Sequence, residues 1–198
     1  MLLQDKVVIV SGIGPGLGQE LSTLAAKEGA AAVVMAARTP AKLDTAEAEI
    51  RALGLDTPVL KVPTDISDAE QCAVLAERAV AEFGRIDVLF NSAYDPGAFE
   101  PIESADLDGW RRAMDVNFFG TMQLTQACVP RMKAAGGGAI VMIATMVEHK
   151  PLATQGGYGA SKSALRSATK HLALELGQYN IRVNSAHMGW MWGPAVEG

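Results

Sequence analysis

An alternation of short apolar runs with stretches of helical periodicity repeats from end to end of the chain, and it constrains the fold more than any other feature. Lys6-Val7-Val8-Ile9-Val10 is almost continuously apolar, the pattern of a strand buried on both faces. A glycine cluster follows, and Leu17 to Glu28 then reads as a helix ended by Gly29. The pattern continues with a strand over 31–37, a helix from Pro40 to Leu53, a strand over 58–62 and a helix over 68–83 stopped by Gly84. In that third helix Cys72, Leu75, Ala76, Ala79 and Phe83 recur at helical spacing, so one face is apolar. A strand over 87–91, a long helix over 106–135 bent near Pro130, a strand over 139–144, a helix over 158–176 and a strand over 181–185 complete the series. Such spacing predicts a parallel sheet with right-handed crossovers, a doubly wound, three-layer α/β/α arrangement in one domain over 1–198.

Composition removes several function classes. With 49% hydrophobic and 20% charged residues among 198, the chain can bury a sizeable core. A net charge of -5 offers no electrostatic footprint for nucleic acid or an anionic membrane. The longest apolar stretch, 29–37, is too short to cross a bilayer, and 1–6 lacks the pattern of a secretory signal. Cys72 and Cys128 fall in helix interiors, so both are expected as free buried thiols in a reducing cytoplasm.

In doubly wound sheets ligands bind at the carboxyl ends of the strands, near the switch in strand order. The chemically unusual segments all lie there. Ser11-Gly12-Ile13-Gly14-Pro15-Gly16-Leu17-Gly18 joins a strand to a helix. Gly12, Gly16 and Gly18 permit a tight turn, close backbone approach to a diphosphate and close helix–strand packing. The helix N-terminus adds free N–H groups and a positive dipole end. The spelling Gly-x-Gly-x-x-Gly is not met, because Leu17 and Gln19 occupy the places a third glycine would need; Gly-x-x-x-Gly-x-Gly is met instead. The end of the second strand, Met35-Ala36-Ala37-Arg38, carries no acid, and Arg38 can pair with a ribose 2′-phosphate as a charge-assisted fork. A dinucleotide with a 2′-phosphate is therefore expected over one with a free 2′-hydroxyl. Tyr158 and Lys162, four apart on a helix, share a face, and a nearby ammonium favours the phenolate. His149, His171 and His187 are scattered without ligand spacing, so no metal site is expected.

The glycine turn resembles that of the short-chain dehydrogenase/reductase family, Thr-Gly-x-x-x-Gly-x-Gly, with Ser11 in place of the threonine. Later landmarks follow in order along the whole chain. Asp65 and Ile66 come after the third strand, and Asn91-Ser92-Ala93-Tyr94 stands where the family has Asn-Asn-Ala-Gly. Asn117 falls in the long helix, Tyr158 to Lys162 matches Tyr-x-x-x-Lys, and Thr145 takes the place of the usual serine.

The resemblance implies a Rossmann fold and an oxidoreductase passing a hydride between NADP(H) and a carbonyl or secondary alcohol. It implies that Ser11, Gly12, Ile13, Gly16, Leu17, Gly18, Arg38, Asp65, Ile66, Asn91, Ala93, Tyr158, Lys162 and Gly189 hold the cofactor. Tyr158 would be the general acid/base, with Lys162 lowering its pKa and gripping the ribose. Thr145 would orient the substrate oxygen, and Asn117 would hold a water for proton relay. Two departures are visible: Met188-Gly189 replaces the family's Pro-Gly, and Pro15 stands where many NADP-preferring relatives have a basic residue. Trp190, Met191 and Trp192 are expected to wall a partly apolar substrate pocket. Members usually continue through a substrate-covering helix and a last strand, expected to be missing here. They also assemble as dimers or tetramers, so a homo-oligomer is expected. The departures and the short tail support an alternative, a nucleotide-binding protein of little turnover that acts through assembly.

Overall fold

The computed structural model describes residues 1–191. Six strands, β1 (Val7–Ser11), β2 (Ala32–Ala37), β3 (Val59–Pro63), β4 (Val88–Asn91), β5 (Gly138–Thr145) and β6 (Ile181–Met188), form one sheet in the order β3-β2-β1-β4-β5-β6. Every neighbouring pair is parallel, with Val8 opposite Val33 on one side and Val88 on the other. The order reverses between β1 and β4, which opens a crevice at their carboxyl ends.

The alternation of side chains along β1 decides which helices cover which face. Val7 and Ile9 join Leu75, Ala76, Leu124, Cys128 and Leu165, from α3 (Ala69–Phe83), α5 (Thr121–Ala134) and α6 (Gly156–Leu176). Val8 and Val10 join Ala25, Leu43 and Ile50, from α1 (Leu17–Lys27) and α2 (Pro40–Ala52). All of β1 is buried, as a near-continuous apolar run in a parallel sheet requires. Cys72 and Cys128 are free and buried, and burial pushes both thiols up to about 12. No helix among the described residues is long and apolar enough to cross a membrane.

Where expected and observed boundaries differ, a local contact explains it. Asp68 is the N-cap of α3, its carboxylate accepting from the N–H groups of Glu70 and Gln71. β4 starts at Val88, one residue later than expected, and the carboxylate of Asp87 accepts the Val7 N–H at 2.9 Å. Helix α6 starts two residues earlier than expected, at Gly156. The long helix divides into α4 (Leu107–Met114), a π-helical turn (Asp115–Gly120) and α5. The irregularity therefore lies at Asn117 and not at Pro130. Pro130 sits inside α5, and both it and Gln126, whose carbonyl loses its donor, are exposed to water. The π-turn instead meets two close demands: Asn117 reaches the loop after β4, and Gly120 passes so near Ile66 that a Cβ would lie 2.9 Å from its carbonyl oxygen.

Candidate active site

A cavity of about 700 Å³ opens at the carboxyl ends of the strands, over the β1/β4 switch. At one end it is walled by backbone. Gly12 has φ +82, and a side chain there would fall on the Ser92–Ala93 backbone; a side chain at Gly18 would fall on the Gly12 carbonyl. Gly16 differs, with φ +111 and open space in front of it, and it is the N-cap of α1 with no side chain capping that helix. A positive dipole end fronted by room that a Cβ would narrow fits a diphosphate. Gly12, Ile13, Gly16, Leu17, Gly18, Arg38, Asp65, Ile66, Ala93 and Gly189 all line this space.

Ser11 and Asn91 do not. The Ser11 hydroxyl donates to the Phe90 carbonyl at 3.3 Å, and the Asn91 amide donates to Thr125 Oγ1 at 3.1 Å and to Met142 Sδ at 3.3 Å. Both brace the central strands beneath the cavity instead of facing it. A cation that the sequence reading passed over also lines the wall. Lys42, in the first turn of α2, lies beside Gly14, where a Cβ would be 3.8 Å from its Nζ. It supplies from another helix the second basic group that Pro15 withholds; the available signal was its position four residues after Arg38.

At the other end Thr145 closes β5, Tyr158 stands in the first turn of α6, and Lys162 follows one turn later, all three lining the cavity. Gly156 and Gly157 lie against Trp110 of α4, so tightly that a Cβ at either would come within 2.8 Å of the indole. That contact sets the start of α6 and the placement of Tyr158. The Gly-Gly pair was its only trace in the sequence.

Lys162 is 1% exposed; its Nζ donates to the Ile143 carbonyl at 2.7 Å and lies 6.0 Å from the Tyr158 ring centroid. Burial pushes its pKa down to about 8, with the negative charge of Glu148 pulling the other way. The Tyr158 phenol is held above its ordinary value, first by burial and then by the charges of Tyr94 and Glu148, while the Thr145 hydroxyl favours the phenolate. The lowering expected from Lys162 does not offset this: burial outweighs the opposing Thr145 hydroxyl. Asn117, fully buried, is also outside the cavity wall. Its Oδ1 accepts the Asp95 N–H at 2.7 Å, and its Nδ2 donates to the Asp95 carbonyl at 2.8 Å and to Ser161 Oγ at 2.9 Å. Its side chain clamps the loop after β4 to α6.

Tyr94, Phe99, Leu152, Met146, Met188, Trp190 and Met191 give the remaining wall an apolar character. Trp192 lies outside the described residues. His149 and His187, scattered in sequence, come together with Glu148 through the β5–β6 pairing, their ligand atoms within 4.8 Å of one another.

Residues 6–196 match the family model described as short chain dehydrogenase. The chain belongs to the short-chain dehydrogenase family. It is 35% identical to trans-4-hydroxycyclohexanecarboxylate dehydrogenase of Sinomonas cyclohexanicum, over 98% of this chain and 75% of that one. Cyclohexanol dehydrogenase of an Acinetobacter strain is 33% identical over 97% of this chain and 75% of its own length. The crystal structure of levodione reductase superposes with a TM-score of 0.94 at 30% identity, covering 98% of this chain and 75% of that chain. NAD⁺-bound xylitol dehydrogenase gives a TM-score of 0.91 at 31% identity, covering 96% and 72%. This short-chain dehydrogenase is an oxidoreductase of the NAD(P)-binding type, acting on alcohols or ketones.

Proposed function

We propose that this short-chain dehydrogenase interconverts a cyclic secondary alcohol and its ketone, with NADP(H) as the hydride carrier and Tyr158 as the proton donor and acceptor. The convergence of Thr145, Tyr158 and Lys162 on one wall of a cavity whose other end fits a diphosphate carries the reading. When bound, a nicotinamide would supply or take the hydride at the substrate carbon. Thr145 holds the substrate oxygen; Tyr158 O–H gives it a proton in reduction, and the phenolate takes one back in oxidation. A phenol held above its usual value rests protonated at neutral pH, which suits the reducing direction, and oxidation should gain as pH rises. Asn117 keeps the loop after β4 against α6, and with it the mouth of the site.

NADP(H) is supported by Arg38 and Lys42 on the wall beside Ala37, with no carboxylate at the end of β2 to compete for the 2′-phosphate. A ring substrate is supported by the apolar wall and by relatives named for cyclohexanol, 4-hydroxycyclohexanecarboxylate, levodione and a hydroxysteroid. Leu107, Phe119 and Leu174 are exposed apolar side chains on the α4–α5 segment and α6, which supports a homo-oligomer built on those helices. The test is a nicotinamide-fluorescence titration of the chain with NADPH and NADH, followed by turnover of cyclohexanone and cyclohexanol. Tighter NADPH binding and turnover abolished in Tyr158→Phe are expected. Tighter NADH binding overturns the cofactor assignment, and undiminished turnover in Tyr158→Phe overturns the role of the tyrosine.

A further inference from the structure

Behind the cavity wall, Glu148 ends a short 3-10 turn that begins directly after Thr145, with His149 following it. His187 lies opposite Ala144 on the neighbouring strand, one residue before Met188 of the wall. The Glu148 side chain is 0% exposed. Its Oε1 accepts the Thr145 N–H at 3.2 Å and lies 3.7 Å from His187 Nδ1. Its other oxygen, Oε2, is buried with no hydrogen-bond partner among the described residues. A buried carboxylate oxygen without a donor is costly, and the commonest remedies are a donor, a water or a cation.

The neighbours favour the cation. His187 Nε2 lies 3.0 Å from Ser185 Oγ. In the tautomer whose Nε2–H donates to Ser185 Oγ, the Nδ1 lone pair faces Glu148 and is open to a cation. Metal-ligating histidines are commonly held in this way by a second hydrogen bond. His149 brings the second imidazole, its ring centroid 5.0 Å from that of His187 and tilted by 45°, so the two rings are not stacked. One ligand atom from each of the three residues lies within 4.8 Å of the others, and both histidines are exposed, so an ion has a way in. Two imidazoles and a carboxylate are a ligand set for borderline divalent cations, with a fourth position left to water.

We propose that Glu148, His149 and His187 form a site for one zinc-class divalent cation, pinning the end of β5 to the end of β6 behind the catalytic wall. The site stands independently of the cofactor and substrate readings above. A simple Glu148–His187 ion pair is the competing account, and it gives His149 no part.

The experiment uses the whole chain, freed of metal with EDTA and dialysed. ZnCl₂ is titrated calorimetrically, and CoCl₂ is followed by its d–d absorption. One equivalent of each is expected, with Zn²⁺ displacing Co²⁺ and raising the thermal midpoint. His149→Ala and His187→Ala should each weaken Zn²⁺ binding at least about tenfold, and Ser185→Ala by about 10–100-fold. His149 is exposed, so its variant keeps the test decisive even where a substitution at the buried Glu148 would impair folding. Absence of stoichiometric binding overturns the proposal. So does binding that persists unchanged in both histidine variants, or a midpoint that Zn²⁺ raises equally in wild type and His149→Ala.

Discussion

At the glycine end of the cavity the binding surface is backbone: Gly12, Gly16 and Gly18 contribute shape, an uncapped helix end and no titratable group. At the opposite end, Thr145, Tyr158 and Lys162 contribute buried side chains from β5 and α6, and burial moves the pKa values of Tyr158 and Lys162. The first end depends on conformations that a few neighbouring residues dictate. The second depends on Trp110 and Asn117 from the stretch 107–120 and on Ile143 and Glu148 from the stretch 138–148, both outside the helix that carries Tyr158. Substitutions at the two ends should therefore fail differently. Glycine changes should damage folding and nucleotide binding together, whereas changes at the catalytic end should separate chemistry from both.

Tyr158→Phe should give the largest effect, a fall in kcat of about 10²–10⁴ with NADPH affinity kept. A parallel loss of NADPH binding would show that the two ends are not separable. Next comes Gly12→Ala, which meets both a positive φ and the Ser92–Ala93 backbone. A loss of about 1–3 kcal/mol of stability is expected, read as a lower denaturant midpoint, together with weaker nucleotide binding. Arg38→Ala and Lys42→Ala should each weaken NADPH by about tenfold, the value of one charge-assisted contact, and leave NADH nearly unchanged. The loss should shrink in high salt, since both groups are near solvent.

Lys162→Met sharpens the comparison through stability. The folded-state pKa of Lys162 is lowered from 10.5 to about 8, so the unfolded chain binds more protons between those values. The cost of the buried ammonium is complete below about pH 8 and is relieved as pH climbs toward 10.5. The variant should therefore outlast wild type in urea at pH 7, with the gap narrowing by pH 10, while turnover is lost. A gap that widens with pH would contradict the buried charge. Thr145→Ser, which keeps a hydroxyl on a less restricted side chain, should change kcat by no more than about threefold.

The sheet, the helices that cover it and the glycine turn were legible because their requirements are local. Continuous apolar runs, a helix-stopping Gly84 and a positive φ at Gly12 are each decided within a few residues of chain. The Tyr158–Lys162 pair was legible for the same reason, since residues four apart on a helix share a face. What escaped the sequence involves approaches between distant segments. Ser11, Asn91 and Asn117 carry motif positions, yet their side chains turn into the sheet and the helix layer because buried amides and hydroxyls take the partners that packing offers.

Lys42 beside the glycine turn, Trp110 under the Gly156-Gly157 pair, and Glu148 with two histidines brought together across β5 and β6 have no local signature. The sequence alone determined the doubly wound architecture, the phosphate-sized turn and the Tyr158–Lys162 spacing, because backbone sterics and helical periodicity act over short stretches of chain. Only the tertiary structure decided the state of Tyr158. Its proton depends on burial and on Tyr94, Thr145 and Glu148, charges and hydroxyls that the packing of layers, and no spacing along the chain, sets around it.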